Sequence, residues 1–99
     1  MPAYVIVEID VVDPAPYEEY RRQTPATIAA YGGRFLVRGG PVKALEGGWE
    51  PARLVVLEFR SAERAEAWLS SPEYGAIKGL RQAAAKSKMV LVEGYTPAD

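Results

Sequence analysis

The chain has 99 residues, 12 lysines and arginines against 13 aspartates and glutamates, and neither cysteine nor histidine. Such a length suits one domain, residues 1–99, burying roughly 60 to 70% of its unfolded surface. The near-zero net charge gives no field for steering toward nucleic acid or anionic lipid, so neither is expected as a partner. Missing thiols and imidazoles remove disulfides, thiol catalysis and the usual zinc, iron, copper and histidine-ligated haem sites. No cofactor is therefore expected, and any chemistry falls to carboxylates, arginines, lysines, tyrosines or a bound molecule.

Ala3 to Val12 reads AYVIVEIDVV, rich in β-branched residues, with Ala3, Val5, Val7, Ile9 and Val11 on one parity. Period two with one wholly apolar face predicts a strand. Asp13-Pro14 then signals a helix start, Asp as cap and Pro at the first helical position. Tyr17, Tyr20, Thr24, Ile28 and Tyr31 recur at helical spacing and predict a core-facing stripe with hydroxyls at its edge. Pro25 predicts a kink or a restart with Thr24 as cap, and Gly32-Gly33 predicts the end.

Arg34–Arg38 and Arg53–Phe59 read as the second and third strands. Ser61 and Ser71-Pro72 begin two helical segments, with Trp68 expected in the core. Met89 to Tyr95 reads as the last strand. This order predicts an α+β, ferredoxin-like βαββαβ fold: a four-stranded antiparallel sheet, strand order 4-1-3-2, with the helices on one face. No cationic leader precedes an apolar run, and the apolar segments are strand length, so a cytoplasmic location is expected.

Helices on one side cover only one sheet face, yet the other parity is also apolar. It holds Tyr4, Ile6, Leu36, Leu54 and Val56, with Met89 and Leu91 assigned to the same side. A patch of that extent signals an interface, and a second copy packed face to face would bury both patches. A homodimer is the expected assembly.

Glu8, Arg34, Arg38, Glu58 and Glu93 interrupt these strands and are assigned to the face turned toward the partner. Arg34 and Glu58 are expected to form a cross-strand ion pair. Arg38 opens the long connection GGPVKALEGGWEP, in which Val42–Leu45 is a candidate short element. Gly39-Gly40 leads into Pro41-Val42 rather than a helix, which excludes a phosphate loop, and a lone RGG in a folded strand is not the repeated RNA-binding kind. What remains is a glycine turn or bulge, with Arg38 paired to an acid or presented at a pocket mouth. Arg81 is expected to be solvated like most helical arginines unless it serves a site. Glu46 reads as an exposed loop acid, and Trp49 as a contact for a partner subunit.

Tyr31–Gly40, Leu45-Glu46-Gly47, Leu57–Ser61, Ser71–Tyr74, Leu80-Arg81 and Val92–Tyr95, in this order, resemble the domain of unknown function 1330 family, part of the dimeric α/β-barrel superfamily. The resemblance implies a ferredoxin-like protomer and a homodimer, but it carries no catalytic residues because the family has no established reaction. The wider superfamily includes cofactor-free monooxygenases, small-ring isomerases, haem enzymes and ligand-sensing domains. A chain without histidine is a poor match to the haem branch. Two functional expectations follow. One is a small-molecule-binding dimer whose cleft is lined by Tyr4, Arg38, Glu58, Tyr74 and Arg81, suited to a carboxylated or phenolic ligand and to a monooxygenase- or isomerase-like reaction without cofactor. The other is a non-enzymatic accessory dimer with no ligand.

Overall fold

In a computed structural model describing residues 1–97, β1 (Ala3–Val11) buries Ala3, Val5, Val7 and Ile9 and leaves Tyr4, Ile6 and Glu8 half-covered on its other face. The remaining elements are α1 (Pro14–Ala30), β2 (Arg34–Arg38), β3 (Leu54–Phe59), α2 (Ala62–Leu69), α3 (Pro72–Ala84) and β4 (Ala85–Glu93). All paired strands are antiparallel, in the order β2-β3-β1-β4, which is the expected ferredoxin-like arrangement. The helices pack on the face bearing Val55, Leu57 and Phe59 of β3, and Trp68, Tyr74 and Phe59 are among the largest fully buried side chains.

Several local features differ from the sequence expectation. α1 runs unbroken through Pro25, and Asp13 makes no side-chain cap bond. The β2–β3 connection contains no helix or strand, so Val42–Leu45 is plain loop. β4 starts four residues earlier than Met89, because Lys86 and Lys88 point away from the helices and hide the strand pattern. Finally, Met89 and Leu91 pair with Val7 and Val5, which puts them under the helices. Val90 and Val92 take the open face instead, opposite Ile6 and Tyr4. In a run where both parities are apolar, only the register decides this. Glu93, opposite Ala3, likewise has helix-side parity at the sheet end rather than a place on the open face.

β2 carries the irregularity that matters for the site. Arg34 pairs with Glu58 and Phe35 with Leu57, but the next pairs are Val37 with Val56 and Arg38 with Val55. Leu36 is the extra residue of a β-bulge, and beyond it the facing of side chains is inverted. Simple alternation would place Arg34 and Arg38 on one face. The bulge sends Arg38 to the helix side instead.

At the end of α1 the chain passes tightly under the core. A Cβ added at Gly33 would lie 2.5 Å from the Phe59 ring and 2.9 Å from Ile28. Neither neighbour has free space, so Gly33→Ala should cost about 1–3 kcal/mol. At about 4–8 °C per kcal/mol, thermal unfolding followed by circular dichroism should show a clear fall in Tm, and an unchanged Tm would contradict this packing.

Candidate functional site

The sheet separates the five sequence-predicted site residues into two groups. Tyr4 and Glu58 are register neighbours on the open face, with Arg34 beyond Glu58. Arg34 Nε donates to Glu58 Oε1 at 2.7 Å, so these charges satisfy each other as a cross-strand pair. Arg38, Tyr74 and Arg81 are on the helix side, Tyr74 and Arg81 buried and Arg38 exposed at the end of the edge strand, and no cleft unites all five.

On that inner side an apolar cavity opens between α1 and the sheet. Its walls include Val7, Ile9, Ile28, Phe35, Leu57 and Met89, with Trp68 and Tyr20 at the α2–α3 side. The space in which a water molecule could be centred is only about 30 Å³.

One hydroxyl with two hydrogen bonds builds the Tyr20 side. Ser71 Oγ donates to the Trp68 carbonyl at 2.7 Å and accepts from the Tyr74 amide at 3.1 Å, which ends α2 and starts α3 in one stroke. The geometry stacks Trp68 against Tyr74, ring centroids 4.2 Å apart, and Trp68 Nε1 donates to Thr27 Oγ1 of α1 at 3.0 Å. Tyr74 in turn shares a 2.8 Å hydrogen bond with the Tyr20 hydroxyl and accepts from Arg81 Nε at 3.2 Å. Arg81 also donates to Ser87 Oγ of β4. The tyrosine stripe of α1 therefore does not end in solvent at Tyr20, whose hydroxyl is buried inside a Tyr20–Tyr74–Arg81–Ser87 chain.

Arg81 itself is 7% exposed, contrary to the solvated position expected of it. The ion pairs among the described residues are Arg21–Glu18, Arg22–Glu19 and Arg34–Glu58, none of which involves Arg81. A buried cation with only hydroxyl partners is expensive, although its place in the last turn of α3 lets the helix dipole offset part of the cost. Burial works to depress the Arg81 pKa, but interactions with the Tyr74 and Tyr20 hydroxyls outweigh it and leave the group fully cationic. Burial, then the neighbouring Tyr74, drives the Tyr20 pKa upward, and Tyr31 moves up through its hydrogen bond to Glu73. A phenol raised above its unfolded value of about 10 contributes stability that is complete below that pH and lost as pH rises. In an alkaline titration of tyrosinate absorbance, Tyr20 should therefore ionise only as the protein unfolds. Full ionisation of all six tyrosines with the fold intact would contradict the buried chain.

The opposite rim of the cavity is cationic. Arg21, Arg38 and Arg53 all line it, and none of its lining residues is acidic. Pro25 explains how Arg38 is seated. Lacking an N–H, Pro25 leaves the carbonyl four residues back, that of Arg21, without its helical partner. Arg38 Nη2 donates to this carbonyl at 2.6 Å, and its guanidinium lies over the Phe35 ring, 4.4 Å from the centroid. Burial, followed by repulsion from Arg21 and Arg53, lowers the Arg38 pKa. Arg53 lies over the Tyr17 ring, 5.7 Å from its centroid, and its Nε–H is buried without a hydrogen-bond acceptor. Gly39, with φ +74°, permits this: a Cβ there would fall on the Arg53 guanidinium. The glycine of the RGG run thus makes room for a second arginine beside the first.

Arg21, Arg53, Tyr20 and Pro25 were not singled out as site residues from the sequence. The spacing of Pro25 four residues after Arg21 was the available signal, since it marks a free carbonyl on a helix.

None of the curated proteins matches the chain. Among solved structures it is similar to the RPA0582 protein of unknown function from Rhodopseudomonas palustris, at 18% identity and TM-score 0.76, over 97% of this chain and 84% of that one. It is also similar to SnoaB, a cofactor-independent oxygenase from Streptomyces nogalater, at 16% identity and TM-score 0.65, over 96% of this chain and 94% of that one. A dimeric ferredoxin-like protein of unknown function from Jannaschia sp. CCS1 matches at 15% identity and TM-score 0.66, over 95% of this chain and 100% of that one. At these identities the likeness shows the shared ferredoxin-like fold. The family model for a domain of unknown function, DUF1330, matches residues 2–95, and the chain belongs to that family.

Proposed function

We propose that the protein works as a homodimer joined through its open sheet face, each protomer taking a small carboxylated or phenolic molecule into the cavity between α1 and the sheet. Of the sequence-predicted residues Arg38 lines this cavity, Tyr74 and Arg81 stand behind its Tyr20 wall in one hydrogen-bonded chain, and Tyr4 and Glu58 belong to the proposed dimer face. The observation that carries the reading is Arg81, a buried cation without a carboxylate, hydrogen-bonded to a phenol whose neighbour Tyr20 forms part of the cavity wall. Fully buried arginines without a counter-charge are rare, and such groups concentrate at functional sites. A phenol chain held by a fixed cation can also hold or pass a proton at a bound phenol or acid, the chemistry a cofactor-independent oxygenase or isomerase needs. The dimeric and oxygenase relatives support this reading by analogy of fold.

The test uses Trp68, which lines the cavity. In a Trp49→Phe variant it is the remaining tryptophan, and titration with phenol and with benzoate should change its fluorescence saturably. A response that only rises linearly, as for free tryptophan, would count against a ligand site. The narrowness of the cavity supports the second reading, an accessory dimer with no ligand, and that linear response is the result it requires.

A further inference from the structure

We infer that Arg38 and Arg53 form a carboxylate clamp at the cavity mouth, so that the ligand class is an aromatic or otherwise apolar acid rather than a neutral phenol. The inference rests on the ligand-binding reading above and adds to it the group being recognised and the residues recognising it. Three features support it together. The cavity is apolar within and cationic at one rim: no lining residue is acidic, and Glu18 nearby is paired with Arg21 alone, leaving Arg38 and Arg53 without a carboxylate partner. Arg53 has a buried Nε–H with no acceptor, a donor whose cost a ligand oxygen would remove. Arg38 is held by a backbone carbonyl and the Phe35 ring rather than by a carboxylate, partners that a charged ligand can outbid.

The geometry also describes how the site opens. Arg38 lies over Phe35, which belongs to the cavity wall, so exchanging its Arg21 carbonyl partner for a ligand carboxylate would give the ligand room to enter. A carboxylate is then met by two guanidinium forks while its apolar body enters between Phe35, Ile28 and Met89. Arg21 is already paired with Glu18 at 3.1 Å and serves mainly through its carbonyl.

The experiment compares benzoate with benzamide, matched in shape and different in charge, by nitrogen-15 NMR titration of the full chain, including arginine Nε–H signals. Benzoate should move the Arg53 Nε–H resonance and bind at least about tenfold more tightly than benzamide, a difference in keeping with charge-assisted hydrogen bonds. Arg53→Gln and Arg38→Gln should each bring the two affinities close together, chiefly by weakening benzoate. Arg22→Gln, an exposed arginine away from the cavity, should leave the preference intact. Equal binding of both probes to the parent protein would overturn the clamp and leave the cavity reading standing. Binding of neither would overturn both.

Discussion

A Val90→Asp variant is expected to be a monomer under conditions where the parent protein is a dimer, with the dissociation constant raised at least about a thousandfold, equivalent to roughly 4 kcal/mol. Val90 is 58% exposed in the protomer and sits opposite Ile6 on the open sheet face, so an aspartate there meets water in the monomer. In a face-to-face dimer the two-fold axis would bury one such charge from each copy in an apolar layer that includes Tyr4, Ile6, Leu54, Val56 and Val92, and desolvation would cost several kcal/mol per ion. Ala76→Asp, on the exposed side of α3, should leave assembly unchanged. Sedimentation equilibrium measures the difference, and circular dichroism verifies that both variants are folded. A Val90→Asp protein that remains dimeric would place the interface elsewhere.

The second large effect is an asymmetry between two partners in one hydrogen bond. Tyr74→Phe should destabilise the protein by about 2–3 kcal/mol, because it leaves the Tyr20 hydroxyl and the Arg81 Nε–H buried with no common acceptor. Arg81→Met should change stability by less than about 1 kcal/mol in either direction. It keeps the aliphatic stem, removes the unneutralised charge, and leaves Tyr20 and Tyr74 bonded to each other. Since the residues share one chain of hydrogen bonds, the double variant should lose less than the sum of the single losses. Urea unfolding of the four proteins gives the comparison. If Arg81→Met proved the more damaging, the cation would be a structural element and its value as evidence for a ligand site would disappear.

Most of the architecture was legible in the sequence because it rests on strong local signals. The alternation Ala3, Val5, Val7, Ile9, the Ser61 and Ser71-Pro72 starts and the Gly32-Gly33 stop each have one physical meaning, and together they leave few topologies open. The two wrongly assigned faces have a different origin. At Met89–Val92 every residue is apolar, so parity carries no information until the pairing with Ile6 and Val7 fixes it. At Arg38 alternation misleads because Leu36 is an extra residue in β2, and a bulge of this kind leaves no composition signal.

The candidate site was only half legible for the same reason. Arg38, Tyr74 and Arg81 stand out as polar residues in apolar settings, but Tyr4 and Glu58 do so equally and belong to the other face. Burial of Arg81 depends on where α3 meets β4, through Ser87, and no helical spacing rule foretells that contact. In the sequence Arg53 only opens the third strand; its meaning comes from Gly39 across the hairpin. By sequence alone, the proline at position 25 signals an interruption of a helix. Its effect is to free a carbonyl that seats an arginine.

Native mass spectrometry of protein purified gently from its own host reads assembly and retained ligand together. The expected result is the mass of two chains plus a reproducible small organic acid, with the added mass absent from an Arg38→Met, Arg53→Gln variant that still dimerises. A single chain with no added mass under the same conditions would contradict it.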